Sequence, residues 1–162
     1  HGASSVSMAG VLAGVFVGAW FLLDARWTWN LARQVLTTAD QYGGKDIRGM
    51  HLAMPDGPLY AFIDRALALM PKEPARVFVV ADAAYFRNRA AYHLYPHNVY
   101  AEPVLNAIPP AATMRAGDWI VVAQRRGIQF DPTQQKLRWD GTQVVSAEMK
   151  LFESGFALFK VL

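Results

Sequence analysis

The sequence predicts an α/β fold: an N-terminal membrane helix, then a small three-layer-like α/β domain with a mixed sheet and C-terminal β-hairpins. Three observations point there. Val6 to Leu23, reading VSMAGVLAGVFVGAWFLL, carries no charge. At about 1.5 Å per residue its eighteen residues reach roughly 27 Å, close to the ~30 Å of a bilayer core. Arg76 to Ala81, RVFVVA, is a short β-branched apolar run between two helix-like stretches, as a strand buried on both faces would be. Asp140-Gly141 separates two short strand-like runs, the signature of a type I′ hairpin. The expected organisation is an anchor over residues 1–23, an amphipathic helical extension over 24–44 and a soluble α/β domain over 45–162.

Within the anchor, Gly10, Gly14 and Gly18 recur every fourth residue and share one helix face. In lipid such a face packs against other transmembrane helices. In a soluble helix each glycine would cost about 1 kcal/mol relative to alanine. Trp20, Phe21, Trp27 and Trp29 form an aromatic belt at the C-terminal end, and Asp24 and Arg26 mark the exit into water. The alternatives are a buried hairpin helix and a secretory signal peptide, but the latter lacks a basic n-region and a small-x-small cleavage site. The chain opens His1-Gly2. His1 reads as the end of a purification tag, and the rest of the chain as an excised part of a longer protein.

Composition sets bounds. The 162 residues are 53% hydrophobic and 18% charged, too apolar for disorder. The net charge of +3 is scattered, with Arg125-Arg126 the longest basic run, so no nucleic-acid footprint is present. The absence of cysteine excludes disulfides and thiolate chemistry.

The elements then follow in order. Trp27, Leu31, Val35 and Ala39 continue a helical face until Gly43-Gly44 stops it. Lys45 to Pro55 reads as a loop. Asp56 is a candidate N-cap and Pro58 suits a first turn. Leu59, Phe62, Ile63, Ala66, Leu67 and Met70 keep helical spacing until Pro71. After the Arg76 to Ala81 strand, Asp82 is the expected N-cap of a helix from Ala83 to Tyr95 that Pro96 closes, and Asn98 to Glu102 is the next strand of a right-handed β-α-β unit. Pro103 to Pro110 is a connection. Asp118 to Gln124 is a third strand. Leu137 to Trp139 and Thr142 to Ser146 flank the hairpin turn, and Phe156 to Val161 follows a Ser154-Gly155 turn.

Candidate chemistry is sparse. His93 and His97 stand four apart, but Pro96 breaks their register and no carboxylate or cysteine completes a set, so no metal and no cofactor is expected. They are expected to cap a helix end and meet solvent. Asp82 ends a strand in the crevice where open α/β sheets bind ligands, and serves there either as a functional carboxylate or as the cap. Its turn, VADAAYF, has no glycine and so no phosphate-binding fingerprint. Tyr85, Arg87, Arg89, Tyr92, His93 and Tyr95 cluster on one helix, where such groups either stack on sugars and grip phosphates or pack the helix on the sheet. The ligand-binding candidates are Asp82, Tyr85, Arg87, Arg89 and His93. Arg125-Arg126 suits lipid headgroups or a solvated edge. No G-x-S-x-G, HExxH or close acid pair occurs, and Ser4, Ser5 and Ser7 have no base nearby.

The run RNRAAYHLYPHNVY (Arg87 to Tyr100) after VVAD, and the ending GFALFKVL (Gly155 to Leu162), resemble segments of bacterial polytopic membrane proteins. These are similar to GT-C-type glycosyltransferases and their relatives, in which many membrane helices precede a small extracytoplasmic α/β domain. The resemblance implies surface-polysaccharide or lipid-linked sugar metabolism at the bacterial inner membrane, with the domain extracytoplasmic. The family's catalytic acids lie in an early loop between membrane helices to which no residue here corresponds, so it implies no catalytic residue. Arg26, Arg33, Lys45 and Arg48 beside the anchor argue for the opposite, cytoplasmic side. The expected function is a non-catalytic tethered domain positioning a membrane partner, an envelope glycan or a lipid-linked sugar. The alternatives are an enzyme with a sugar or nucleotide-sugar site at the strand ends, and an assembly subunit docking other helices through its glycine face. Membrane lipid and other transmembrane helices are the expected partners, and nucleic acid is not one.

Overall fold

The computed structural model describes residues 7–104 and 107–162. His1, Gly2, Ser4, Ser5 and Val6, on which the reading of the N-terminus touched, lie outside the described residues. The chain divides into two compact units, residues 1–50 and 51–162.

The first unit is dominated by α1 (Met8–Tyr42), 35 residues without a break at the expected boundary after Leu23. The Ser7 hydroxyl accepts the Gly10 N–H at 3.2 Å, satisfying one of the free donors of the first turn. At the other end Gly43 N–H donates to the Ala39 carbonyl at 2.7 Å, and Gly44 takes φ +70°, so the glycine pair stops the helix as expected. No residue of α1 is buried. It is long and apolar enough to cross a membrane. A Cβ at Gly14 or Gly18 would meet nothing within 4 Å. The stretch expected as a loop contains a short helix, α2 (Ile47–Ala53). Asp46 starts it, its carboxylate accepting the Gly49 N–H at 2.7 Å.

The second unit holds α3 (Gly57–Leu69), β1 (Arg76–Ala81), α4 (Ala84–His93), β2 (Asn98–Tyr100), a 3₁₀ turn (Ala111–Thr113), β3 (Trp119–Ala123), β4 (Gln129–Asp131), β5 (Lys136–Trp139), β6 (Gln143–Glu153) and β7 (Phe156–Val161). One seven-stranded sheet runs β2-β1-β3-β7-β6-β5-β4. Strands β2, β1 and β3 are parallel and all later pairings are antiparallel. The mixed sheet and C-terminal hairpins are therefore present. Asp140 (φ +51°) and Gly141 (φ +70°) form the turn between β5 and β6, both in the left-handed region that a type I′ turn needs.

Strand alternation gives two cores. Val77, Val79, Val121 and Leu158 face α3 and α4, packing with Leu59, Phe62, Ile63 and Leu94. Phe62 is fully buried and stacks on Phe156 at 5.4 Å. Phe78, Val80, Ile120, Val122 and Phe159 face the other way, where Leu137, Trp139 and Met114 cover them. This second face is thus closed by β5 and the segment around the 3₁₀ turn rather than by helices. A bulge at Lys150 divides β6. Before it Met149 opposes Phe159 on the second face; after it Leu151 opposes Leu158 on the first. One extra residue has exchanged the two faces of the strand.

Candidate functional site

Tyr85, Arg89 and His93 stand at i, i+4 and i+8 of α4 and so share one face. They converge on a single carboxylate. Arg89 Nε donates to Asp56 Oδ2 at 2.5 Å, His93 Nε2 lies 3.1 Å from the same oxygen, and Tyr85 Oη donates to Oδ1 at 3.1 Å. Asp56 occupies the expected N-cap position of α3, but its side chain makes no capping bond. It points instead to α4 and is fully buried. Gly57 permits this geometry, because a Cβ there would collide with the Leu52 carbonyl. Around the carboxylate, Arg89 lies 5.4 Å from the Tyr92 ring centre and its Nη2 is 3.5 Å from Met54 Sδ. His51 stacks on Tyr60 at 4.8 Å and meets His93 edge-on at 5.2 Å.

Burial pushes the Asp56 carboxyl up, but the hydrogen bonds from Arg89, His93 and Tyr85, with the Arg89 charge, outweigh it and hold the group below the ordinary carboxylate range. Burial is also the largest influence on His93. It holds the imidazole below its ordinary value against the pull of Asp56, and the Arg89 charge adds to it. His93 is therefore neutral at pH 7 and donates from Nε2 to the carboxylate. The cluster is a closed, internally neutralised ion pair that clamps α3 to α4. Such a pair contributes little net stability but is costly to break.

The remaining candidates lie elsewhere. Arg87 Nη1 donates to the Glu102 carbonyl at 2.7 Å. Asp82 is exposed beyond β1, and it is not the cap of α4, since that helix begins at Ala84 with Ala83 in the cap position. The expectation that His93 and His97 meet solvent is overturned. His93 belongs to the buried cluster, and His97 is buried with Nδ1 accepting the Ala75 N–H at 3.1 Å. Each ring found a polar partner inside the fold, the Asp56 carboxylate for His93 and the Ala75 N–H for His97, and burial holds His97 below its ordinary value too. Among the described residues no group of three or more His, Asp or Glu is placed to hold a metal ion.

A second feature had no motif to announce it. On the second face, at the C-terminal end of β3, lies a cavity of about 450 Å³ walled by Phe130, Met149, Phe152 and Phe159 over a floor of Val122 and Ala157. The bulge at Lys150 brings Met149 and Phe152, odd and even positions of one strand, to the same side. Gln124, Arg125 and Arg126 form its rim. Gln124 takes φ +57° and Gly155 takes φ +85°. A Cβ on Gly155 would approach the Gln124 side chain to 2.6 Å, so glycine lets that side chain lie on the turn. Arg125 Nη1 donates to the Arg126 carbonyl at 2.9 Å, ordering the loop at the mouth. Sequence reasoning noted the arginine pair but not the pocket beneath it, whose walls and floor come from four strands.

Compared with known proteins, the chain matches no family model, no curated protein and no solved structure.

Proposed function

We propose that the chain is a membrane-tethered, non-catalytic binding domain of a cell-envelope protein, serving surface-polysaccharide or lipid-linked sugar metabolism on the extracytoplasmic side. The observation that carries this reading is α1. Its 35 residues are apolar over membrane-spanning length and none is buried. Phe16, Trp20, Phe21, Leu22 and Leu23 are each exposed on it. In water each would forfeit roughly 1.5–3 kcal/mol of burial, and so continuous an apolar surface is foreign to a soluble monomer. The domain beyond it has two cores of its own. A binding role is favoured over catalysis because Asp56, Arg89 and His93 engage one another. Membrane lipid and other transmembrane helices are the partners this reading requires, and the open face at Gly14 and Gly18 favours the latter.

Removal of residues 6–23 tests it. The full chain should float with liposomes, and the truncated chain should remain in solution with an unchanged cooperative melt. A truncated chain that aggregates or loses its fold would contradict the tether.

A further inference from the structure

We infer that the cavity beside β3, β6 and β7 binds an amphipathic anion, an apolar chain or ring bearing one phosphate or carboxylate head. The inference deepens the binding-domain reading and rests on it, but not on the tether. The volume of about 450 Å³ falls within the range of small-molecule pockets, roughly 300–1,000 Å³. Its walls are aromatic and aliphatic, and the exposed Arg126 stands at its rim with no carboxylate among the lining residues. Three acids adjoin lining residues in sequence, and each is engaged elsewhere: Glu153 with Arg65 at 2.6–2.7 Å, Glu148 with Lys150 at 2.6 Å, and Asp131 with the Thr133 and Gln134 N–H groups at 2.9 and 3.1 Å. Arg126 therefore lends the rim positive charge. Guanidinium forks match phosphate and carboxylate oxygens, while the walls demand apolar surface. A bare anion leaves the walls unfilled, and a purely apolar molecule leaves the rim unused. The Gln124 N–H to Gly155 carbonyl bond and the Lys150 bulge hold walls and rim in register.

Two sources supply this chemistry: a lipid or lipid-linked carrier from the bilayer, and a soluble amphiphile. The test uses the full chain in neutral phosphatidylcholine nanodiscs with ¹³C-methyl methionine, the Met149 signal being assigned with Met149→Leu. Hexyl phosphate should shift the Met149 methyl saturably, at least about tenfold more tightly than hexanol or inorganic phosphate. Arg126→Gln should weaken it about tenfold, the loss of one charge-assisted contact. Arg138→Gln, at an exposed position of β5 outside the cavity lining, should leave it unchanged. In discs containing phosphatidylglycerol, a Met149 shift without added probe assigns the natural ligand to a lipid head, and a shift only with the probe assigns it to a soluble amphiphile; both support the inference. An unmoved Met149 methyl, equal response to hexanol, or an unaffected Arg126→Gln variant would overturn it. Such a failure in chains held by the discs leaves the tether standing, whereas a chain that does not enter the discs breaks the tether instead.

Discussion

On its helical face the sheet supports a closed polar knot: Asp56 fully buried, with Arg89, His93 and Tyr85 turned onto it. On its other face lies an open apolar cavity whose rim bears Arg125 and Arg126. Both regions combine aromatic rings with arginine, the composition that suggests ligand recognition. They differ in whether a carboxylate belongs to the cluster. The first region contains its own anion and so stabilises packing. The second carries no carboxylate and is open to an anion from outside. An internal carboxylate, more than residue type, is what distinguishes the first region from the second.

The comparison breaks most visibly at Asp56. Asp56→Ala leaves the Arg89 guanidinium and the His93 N–H without their acceptor and should destabilise the domain by about 3 kcal/mol, read from chemical denaturation. A loss under ~0.5 kcal/mol would show that the knot is not structural. At the cavity, Gly155→Ala forces a Cβ into the φ +85° turn and against Gln124, and should cost about 1–2 kcal/mol while loosening the rim.

Acidification sharpens the contrast with a smaller effect. Burial holds the folded-state values of His93 and His97 below the ordinary ~6.5, so the unfolded chain takes up protons first. Their stabilisation is complete above pH ~6.5 and is lost as pH falls from there toward the lower folded values. Asp56 is shifted down, so its contribution is present above pH ~4 and is lost only at stronger acidity. The melting temperature should therefore fall between pH 7 and 5, and His97→Asn should flatten that slope; a melt independent of pH over this range would contradict the buried neutral imidazoles. The smallest effect is expected at the rim, where Arg126→Gln should change stability by less than ~0.5 kcal/mol.

Much of the fold was legible because its signals are local. RVFVVA marked β1, Asp-Gly marked the β5–β6 turn, and helical spacing ending at Pro71 marked α3. Helix α2 escaped because Gly49 interrupts its seven residues and its start depends on the Asp46 side chain. Strand β4 has three residues and pairs only at an edge. The Lys150 bulge leaves no sequence signal, yet it decides which residues line the cavity. The candidate site divides in the same way. The four-residue spacing of Tyr85, Arg89 and His93 was visible on one helix, but their anion lies about thirty residues earlier and only tertiary packing joins them. The pocket beneath Arg125 and Arg126 needs four strands at once, so no single stretch could reveal it.

The division of labour between the two faces is tested most directly by the melting temperature of the full chain in neutral nanodiscs, with and without hexyl phosphate, for the native protein, Asp56→Asn and Arg126→Gln. Asp56→Asn should melt lower yet keep the rise that the probe produces. Arg126→Gln should melt with the native chain and lose most of that rise. The reverse pattern, with the probe's effect abolished at Asp56 and intact at Arg126, would place binding in the polar knot and contradict the account.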